Sequence, residues 1–246
     1  MDQVGQRLLD LNPALDVAAL AAGFARDRRV QVRNVLTEAS ARVVHRILAE
    51  ETPWGLSWRT GAQGPEDLRR GAVVEMSAAE RQARAQALLT TMRGNGFAFA
   101  YTSYGMVKAY LEKWDPEGPH DLLLEYLNDR PIMDLIRAIS GVPGLVKATA
   151  QATMYGPNQF LAVHTDQESG EGRRVAYVLN LCAVDWRPDW GGYLNFFNDD
   201  GDVIAGYRPR FNALNLFLVP QRHQVSFVPP FAAAARYAIT GWFLDR

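Results

Sequence analysis

The feature that most constrains this chain is a change of texture at about Val146. Beyond it, apolar β-formers come in seven short runs separated by Gly, Pro, Asn and Asp: Lys147–Tyr155, Leu161–His164, Val175–Ala183, Gly192–Phe197, Ala213–Val219, Gln224–Val228 and Arg236–Leu244. Short strands at this spacing assemble as a sandwich or a jelly-roll barrel. Before Val146 the pattern is mainly helical. Asn12-Pro13 looks like an N-cap followed by proline at the first helical position, and Ala14 to Arg28 is rich in helix formers. Thr37 caps a second helix, in which Val43, Val44, Ile47 and Leu48 recur at helical spacing. Ser77-Ala78-Ala79-Glu80 has the capping-box pattern and opens a helix to about Met92. Further helices are expected at Asp121–Asn128 and Pro131–Ser140, the latter stopped by Gly141, and β-like pieces at Val30–Val35, Ala72–Met76 and Phe97–Tyr101. With no repeat and no long linker, residues 1–246 are expected to form one α+β domain. In it, residues 1–145 are a mainly helical support layer and residues 146–246 the β core.

Composition narrows the function. Hydrophobic residues make up 48% of the 246, enough for a substantial core. Lys plus Arg number 26 and Asp plus Glu 27, and this balance supports neither a nucleic-acid nor a membrane-surface partner, while leaving room for local basic patches. The single cysteine, Cys182, excludes an internal disulfide and any multi-cysteine metal site, and its apolar neighbours mark it as core. The polar start Met1-Asp2-Gln3-Val4 has no secretory pattern, and no apolar run reaches the roughly 18 residues of a membrane helix, so the expected location is cytoplasmic.

His164-Thr165-Asp166 carries the chemistry. Residues two apart on a strand face the same way, so these side chains can converge. His223 lies at the edge of another expected strand. Two histidines and a carboxylate on a β scaffold form a facial triad for Fe(II), with positions left for a bidentate 2-oxo acid and O2. His45 and His120 fall in helical or loop segments and read as structural. Arg236 opens an apolar strand, Arg236-Tyr237-Ala238-Ile239-Thr240, where a guanidinium needs an anionic partner. Two readings stand: a bidentate anchor for the distal carboxylate of 2-oxoglutarate, or a salt bridge at the strand's exposed start.

Together these segments resemble the 2-oxoglutarate/Fe(II)-dependent dioxygenase superfamily, in particular its prolyl-hydroxylase-like branch. The resemblance runs from about Ala148 to Leu244. It is carried by Ala152–Tyr155 leading into Leu161–Asp166, by Glu171–Leu179, by Asp185-Trp186 followed by Gly191–Leu194, and by Arg236–Phe243. More faintly, Leu11-Asn12-Pro13 and Arg29–Leu36 resemble the opening of prolyl hydroxylases that modify ribosomal proteins and of hypoxia-sensing relatives. The resemblance implies a double-stranded β-helix (jelly-roll) core buttressed by N-terminal helices, with His164, Asp166 and His223 on the iron. It puts Arg236 on the distal carboxylate of 2-oxoglutarate, Thr240 beside it as a helper hydroxyl on the same strand face, and Tyr155 near the 2-oxo acid end. Where several members have a tyrosine that also contacts the distal carboxylate, this chain has Asn180, a shorter hydrogen-bonding side chain, while Tyr177 faces the other way.

The implied reaction couples decarboxylation of 2-oxoglutarate, to succinate and CO2, to hydroxylation of an unactivated C–H bond by O2, with ascorbate as reductant. The implied substrate is a prolyl residue in a protein or peptide; the alternative is a free amino acid or other small metabolite. A zinc hydrolase, a non-redox metal-binding barrel and an inactive binding module are the readings from other classes, and Arg236 argues against the hydrolase. Trp54, Trp58, Trp186 and Trp190 are expected to pack rather than line a groove. Gly191-Gly192 marks a bulge or tight turn into a strand, and Gln167–Gly172 a loop at the site mouth.

Overall fold

The computed structural model describes residues 8–61, 64–167 and 172–246. Helix α1 (Val17–Asp27) begins later than Asn12-Pro13 suggests. Asn12 Oδ1 accepts from the Ala14 N–H and holds a turn, and the helix is capped by Asp16, which accepts from Ala19 N–H. Strand β1 (Arg29–Arg33) follows. Helix α2 (Glu38–Arg46) is capped by Thr37 as expected and ends in a π turn, Ile47–Glu51. Strands β2 (Gly55–Thr60) and β3 (Glu66–Leu68) pair with each other.

Helix α3 (Arg70–Glu75) corrects the β-like reading of Ala72–Met76. None of its residues is buried and none pairs with a strand among the described residues, so a helical turn satisfies the backbone locally. Helix α4 (Ala78–Arg93) opens on the full Ser77/Glu80 capping box. Strand β4 (Ala98–Tyr104) and helices α5 (Met106–Leu111), α6 (Pro119–Leu127) and α7 (Arg130–Ser140) complete this half. Helix α7 buries Ile132, Met133, Leu135, Ile136 and Ile139 on one stripe and stops at Gly141, which takes φ +68°.

The second half supplies β5 (Lys147–Ala148), β6 (Gln151–Tyr155), β7 (Phe160–His164), β8 (Arg173–Asn180), β9 (Leu194–Phe197), β10 (Val203–Tyr207), β11 (Ala213–Leu218), β12 (His223–Val225) and β13 (Arg236–Leu244). Every pairing between the strands is antiparallel, in the order β1-β11-β8-β13-β6-β4-β7-β12-β9-β10, and the sheet rolls into a nearly closed double-stranded β-helix. Strands β1 and β4 come from the first half, so that half contributes to the sheet as well as covering it.

Strand β8 explains how the layers sit. Val175, Tyr177 and Leu179 join the large core shared with the helices, while Ala176 and Val178 join an inner cluster with Leu194, Phe196 and Phe217. Both faces are buried, which is why its sequence reads as a nearly unbroken apolar run. Asn180 has the parity of Ala176 and Val178 and therefore points inward. Tyr177 points to the helices, and its hydroxyl donates to Thr149 O at 2.9 Å.

Candidate metal centre

Strand β7 delivers His164 at its last position, and β12 delivers His223 directly opposite it in register. The chain then leaves β7 so that Asp166 adopts φ +61°, a left-handed conformation that aspartate tolerates better than most residues. Nε2 of His164 lies 3.1 Å from Asp166 Oδ1, and Nε2 of His223 lies 3.4 Å from Oδ2. The ligand atoms of the three residues all fall within 4.8 Å of one another.

Their hydrogen bonds settle the tautomers. His164 Nδ1 sits 3.0 Å from Ala162 O and His223 Nδ1 2.8 Å from Gln221 O. A carbonyl only accepts, so each Nδ1 carries the proton and each Nε2 presents a lone pair. Burial, then the neighbouring His164, push His223 down to about 4 despite Asp166, so it is neutral near pH 7. Burial pushes the Asp166 carboxyl up, but the facing imidazoles of His164 and His223 outweigh it and hold it down to about 2, so it is ionised near pH 7. Two imidazole lone pairs and a carboxylate therefore face one another, three acceptors with no donor among them. A cation reconciles that arrangement. Ligands about 2.1 Å from a common ion in adjacent positions lie about 3 Å apart, close to the spacings found here. The donor set fits Fe(II).

Arg236 opens β13 opposite Tyr155 and is 1% exposed, which removes the reading as a salt bridge at an exposed strand start. Its Nε donates to Asn180 Oδ1 at 3.1 Å and its Nη1 to Gly192 O at 3.0 Å, and the guanidinium lies 5.3 Å from the Tyr155 ring centre. Among the described residues no carboxylate meets it. Burial lowers its pKa, as expected for a charge without a counter-ion. Asn180, expected to contact the co-substrate, is instead completely buried behind the guanidinium, and its short side chain is engaged by Arg236.

A cavity of about 670 Å³ joins these groups. His164, Asp166, His223, Arg236, Tyr155 and Thr240 all line it. So do residues that the sequence alone did not single out. Tyr101 stacks on Tyr155 at 5.0 Å between ring centres, Gln151 donates to the Tyr101 hydroxyl at 3.4 Å, and Ser57 donates to Asp67 at 2.5 Å. Strands β2 and β4 bring Ser57 and Tyr101 in, a placement that depends on the pairing of β4 with β6 and carries no local signal.

Gly191 and Gly192 do mark a tight turn into a strand. Both take positive φ, and a Cβ on Gly191 would meet Phe227 O at 1.9 Å. The four singled-out tryptophans lie outside the lining of this cavity; Trp186 is buried, with Nε1 donating to Gly191 O at 2.9 Å. His45 and His120 hydrogen-bond to Leu181 O and to Thr52 Oγ1, as structural residues do. Cys182 is buried in the core, and burial pushes its thiol up to about 11. Most of the expected loop Gln167–Gly172 lies outside the described residues. Among those described, no helix is long and apolar enough to cross a membrane.

Comparison with known proteins agrees with this geometry. Residues 150–244 match the 2OG-Fe(II) oxygenase superfamily. A stretch of 123 residues is 32% identical to Egl nine homolog 1 of Rattus norvegicus, covering 46% of this chain and 34% of that protein. The chain thus spans about a third of the length of that relative. A Pseudomonas putida prolyl-4-hydroxylase superposes with TM-score 0.58 at 21% identity over 94% of this chain and 99% of that one. A Trichoplax adhaerens prolyl hydroxylase, solved with a peptide of the hypoxia inducible factor oxygen degradation domain, gives 0.58 at 17% identity over 93% and 89%.

Proposed function

We propose that this chain, whose residues 150–244 match the 2OG-Fe(II) oxygenase superfamily, is a 2-oxoglutarate-dependent dioxygenase hydroxylating a prolyl residue in a protein or peptide. The observation that carries the reading is the coincidence, in one cavity, of three inward-facing acceptors and a buried arginine without a carboxylate partner among the described residues.

In this reading His164, Asp166 and His223 hold Fe(II), and Arg236 pairs with the distal carboxylate of 2-oxoglutarate. Iron with 2-oxoglutarate and O2 supplies the oxidation that places oxygen on a C–H bond. The chain's part is positional. Asn180 and the Gly192 carbonyl fix two edges of the guanidinium and leave the rest of the fork to the co-substrate. Thr240, on the inward face of β13, offers a hydroxyl to the same carboxylate, and Tyr155 walls the 2-oxo acid's binding space. The apolar walls Phe99, Leu161 and Val225 exclude water around the iron. Ascorbate serves as reductant. Residues 1–246 act as one catalytic domain, because strands from both halves pair in one sheet, and the single buried cysteine suits the cytoplasm.

A proline in an extended peptide suits a cavity with an open mouth, since its fixed φ lowers the ordering cost. A second reading, a free amino acid as substrate, is favoured by Asp67, whose carboxylate faces the cavity and can take an ammonium group. Mass spectrometry of prolyl peptides and of free proline after incubation with Fe(II), 2-oxoglutarate and O2 separates them. Gain of one oxygen by the peptide, with matching succinate, is expected. Oxygen gained by the free amino acid alone overturns the peptide reading and leaves the dioxygenase reading standing.

A further inference from the structure

Among the described residues no pairing joins the sheet's two terminal strands, β1 and β10, and the barrel stays open there. The opening is a cleft of about 620 Å³, lined by Gln31 and Arg33 of β1, Tyr193 and Tyr207, and Arg208 and Arg210 of the following loop. It shares no lining residue with the iron cavity. Register nevertheless ties the two together. Arg33 pairs with Ala213 and Ala213 with Asn180, so Arg33 lies on the same inward face as Asn180, two strand steps or about 10 Å away.

Three guanidinium groups thus gather around one space with little to neutralise them. No carboxylate contacts Arg33 or Arg210 among the described residues. Arg208 lies 3.3 Å from Asp185, but that carboxylate is 92% exposed and sits in solvent. The Nε atoms of Arg208 and Arg210 are buried with no hydrogen-bond partner. Burial, then the charges of Arg33 and Arg208, push Arg210 below its ordinary value. The cluster is also held in place. Gln31 Nε2 donates to Asn215 Oδ1 at 2.9 Å and to Arg208 O at 3.3 Å, which pins the loop to β1, and Arg208 Nη1 donates to Trp186 O at 3.2 Å. Like charges fixed together with unsatisfied buried donors are stabilised by an anion and by little else.

We propose that this cleft is a second anion site, distinct from the iron cavity, that takes a phosphate-bearing small molecule. One carboxylate has too few oxygens to occupy three guanidinium forks. A phosphate's several oxygens and its near-double charge match them, and the Tyr193 and Tyr207 side chains also line the space.

Calorimetric titration of the full-length protein with inorganic phosphate tests the site. Binding of one phosphate per chain is expected, weakened about tenfold or more by Arg210→Gln and by Arg33→Gln. Thermal melts check that each variant folds, and Arg33, being exposed, tolerates replacement even if Arg210 does not. The rate of 2-oxoglutarate turnover without phosphate should be unchanged in both variants. Absence of phosphate binding by the unmodified chain overturns the proposal, as does binding by both variants as tight as that of the unmodified chain. A loss confined to Arg236→Gln would place the phosphate in the iron cavity and overturn it equally. Succinate binding as tightly as phosphate, and as sensitive to Arg210→Gln, would overturn the phosphate assignment.

Discussion

Arg236 concentrates the site's electrostatics in one side chain. It is fully buried, tethered by Asn180 and Gly192, and met by no carboxylate among the described residues. Arg236→Ala should therefore weaken 2-oxoglutarate binding by about 2–5 kcal/mol, tens- to thousands-fold, with metal binding retained. Arg236→Lys keeps the charge but loses the fork, and should fall in between. Calorimetry with 2-oxoglutarate on the metal-loaded variants measures this; undiminished affinity in Arg236→Ala would mean that another cation holds the co-substrate.

His120 gives a second residue-scale expectation. Thr52 Oγ1 donates to Ile47 O, so it accepts from His120 Nε2, and burial pushes His120 down to about 4 from an ordinary 6.5. Below about pH 6.5 the unfolded chain takes up a proton that the folded chain refuses. Stability from this group is thus complete above pH 6.5 and is lost as pH falls towards 4, by on the order of 3 kcal/mol. Urea unfolding of His120→Gln should show a shallower fall between pH 7 and pH 5; parallel curves would mean that His120 is not held neutral.

Among the elements, α7 shows how closely sequence and structure agree where a pattern is local. Its apolar stripe and the Gly141 stop are both visible in the sequence, and Ile136 is completely buried. Ile136→Ala should cost about 2–5 kcal/mol in urea unfolding, with metal content unchanged. A loss well under 1 kcal/mol would show that the helix layer collapses around the cavity.

The strands β6 to β8 and β11 to β13 were equally legible, since their apolar runs are dense and bounded by turn residues. Strands β2, β3 and β10 were not. Ser57, Arg59 and Thr60 dilute β2, β3 is three residues of Glu66-Asp67-Leu68, and Gly206 interrupts β10, so only their partners make them strands. Ala72–Met76 misled in the opposite sense, because β-branched residues favour a strand only where a partner edge exists.

The whole molecule explains which parts of the site could be read in advance. His164 and Asp166 are two residues apart, so strand periodicity suggested that they converge, although β7 ends at His164 and a left-handed turn at Asp166 completes the approach. Arg236, conspicuous in an apolar strand, signalled itself by its cost. Tyr101, Ser57 and Asp67 reach the cavity only because β4 inserts between β6 and β7, joining the first half of the chain to the second, and Gln151 lines it from β6. That Asn180 and Tyr177 face opposite sides followed from parity, but the pairing of Asn180 with Arg236 did not, since cross-strand contacts between β8 and β13 depend on register. The central claim is that His164, Asp166 and His223 form one iron site. Anaerobic equilibrium dialysis against Fe(II), followed by metal analysis, addresses it directly. One ion per chain is expected, with loss in Asp166→Ala and in His223→Ala but not in His120→Gln. No retained iron in the unmodified chain, or equal retention in all of the variants, would contradict it.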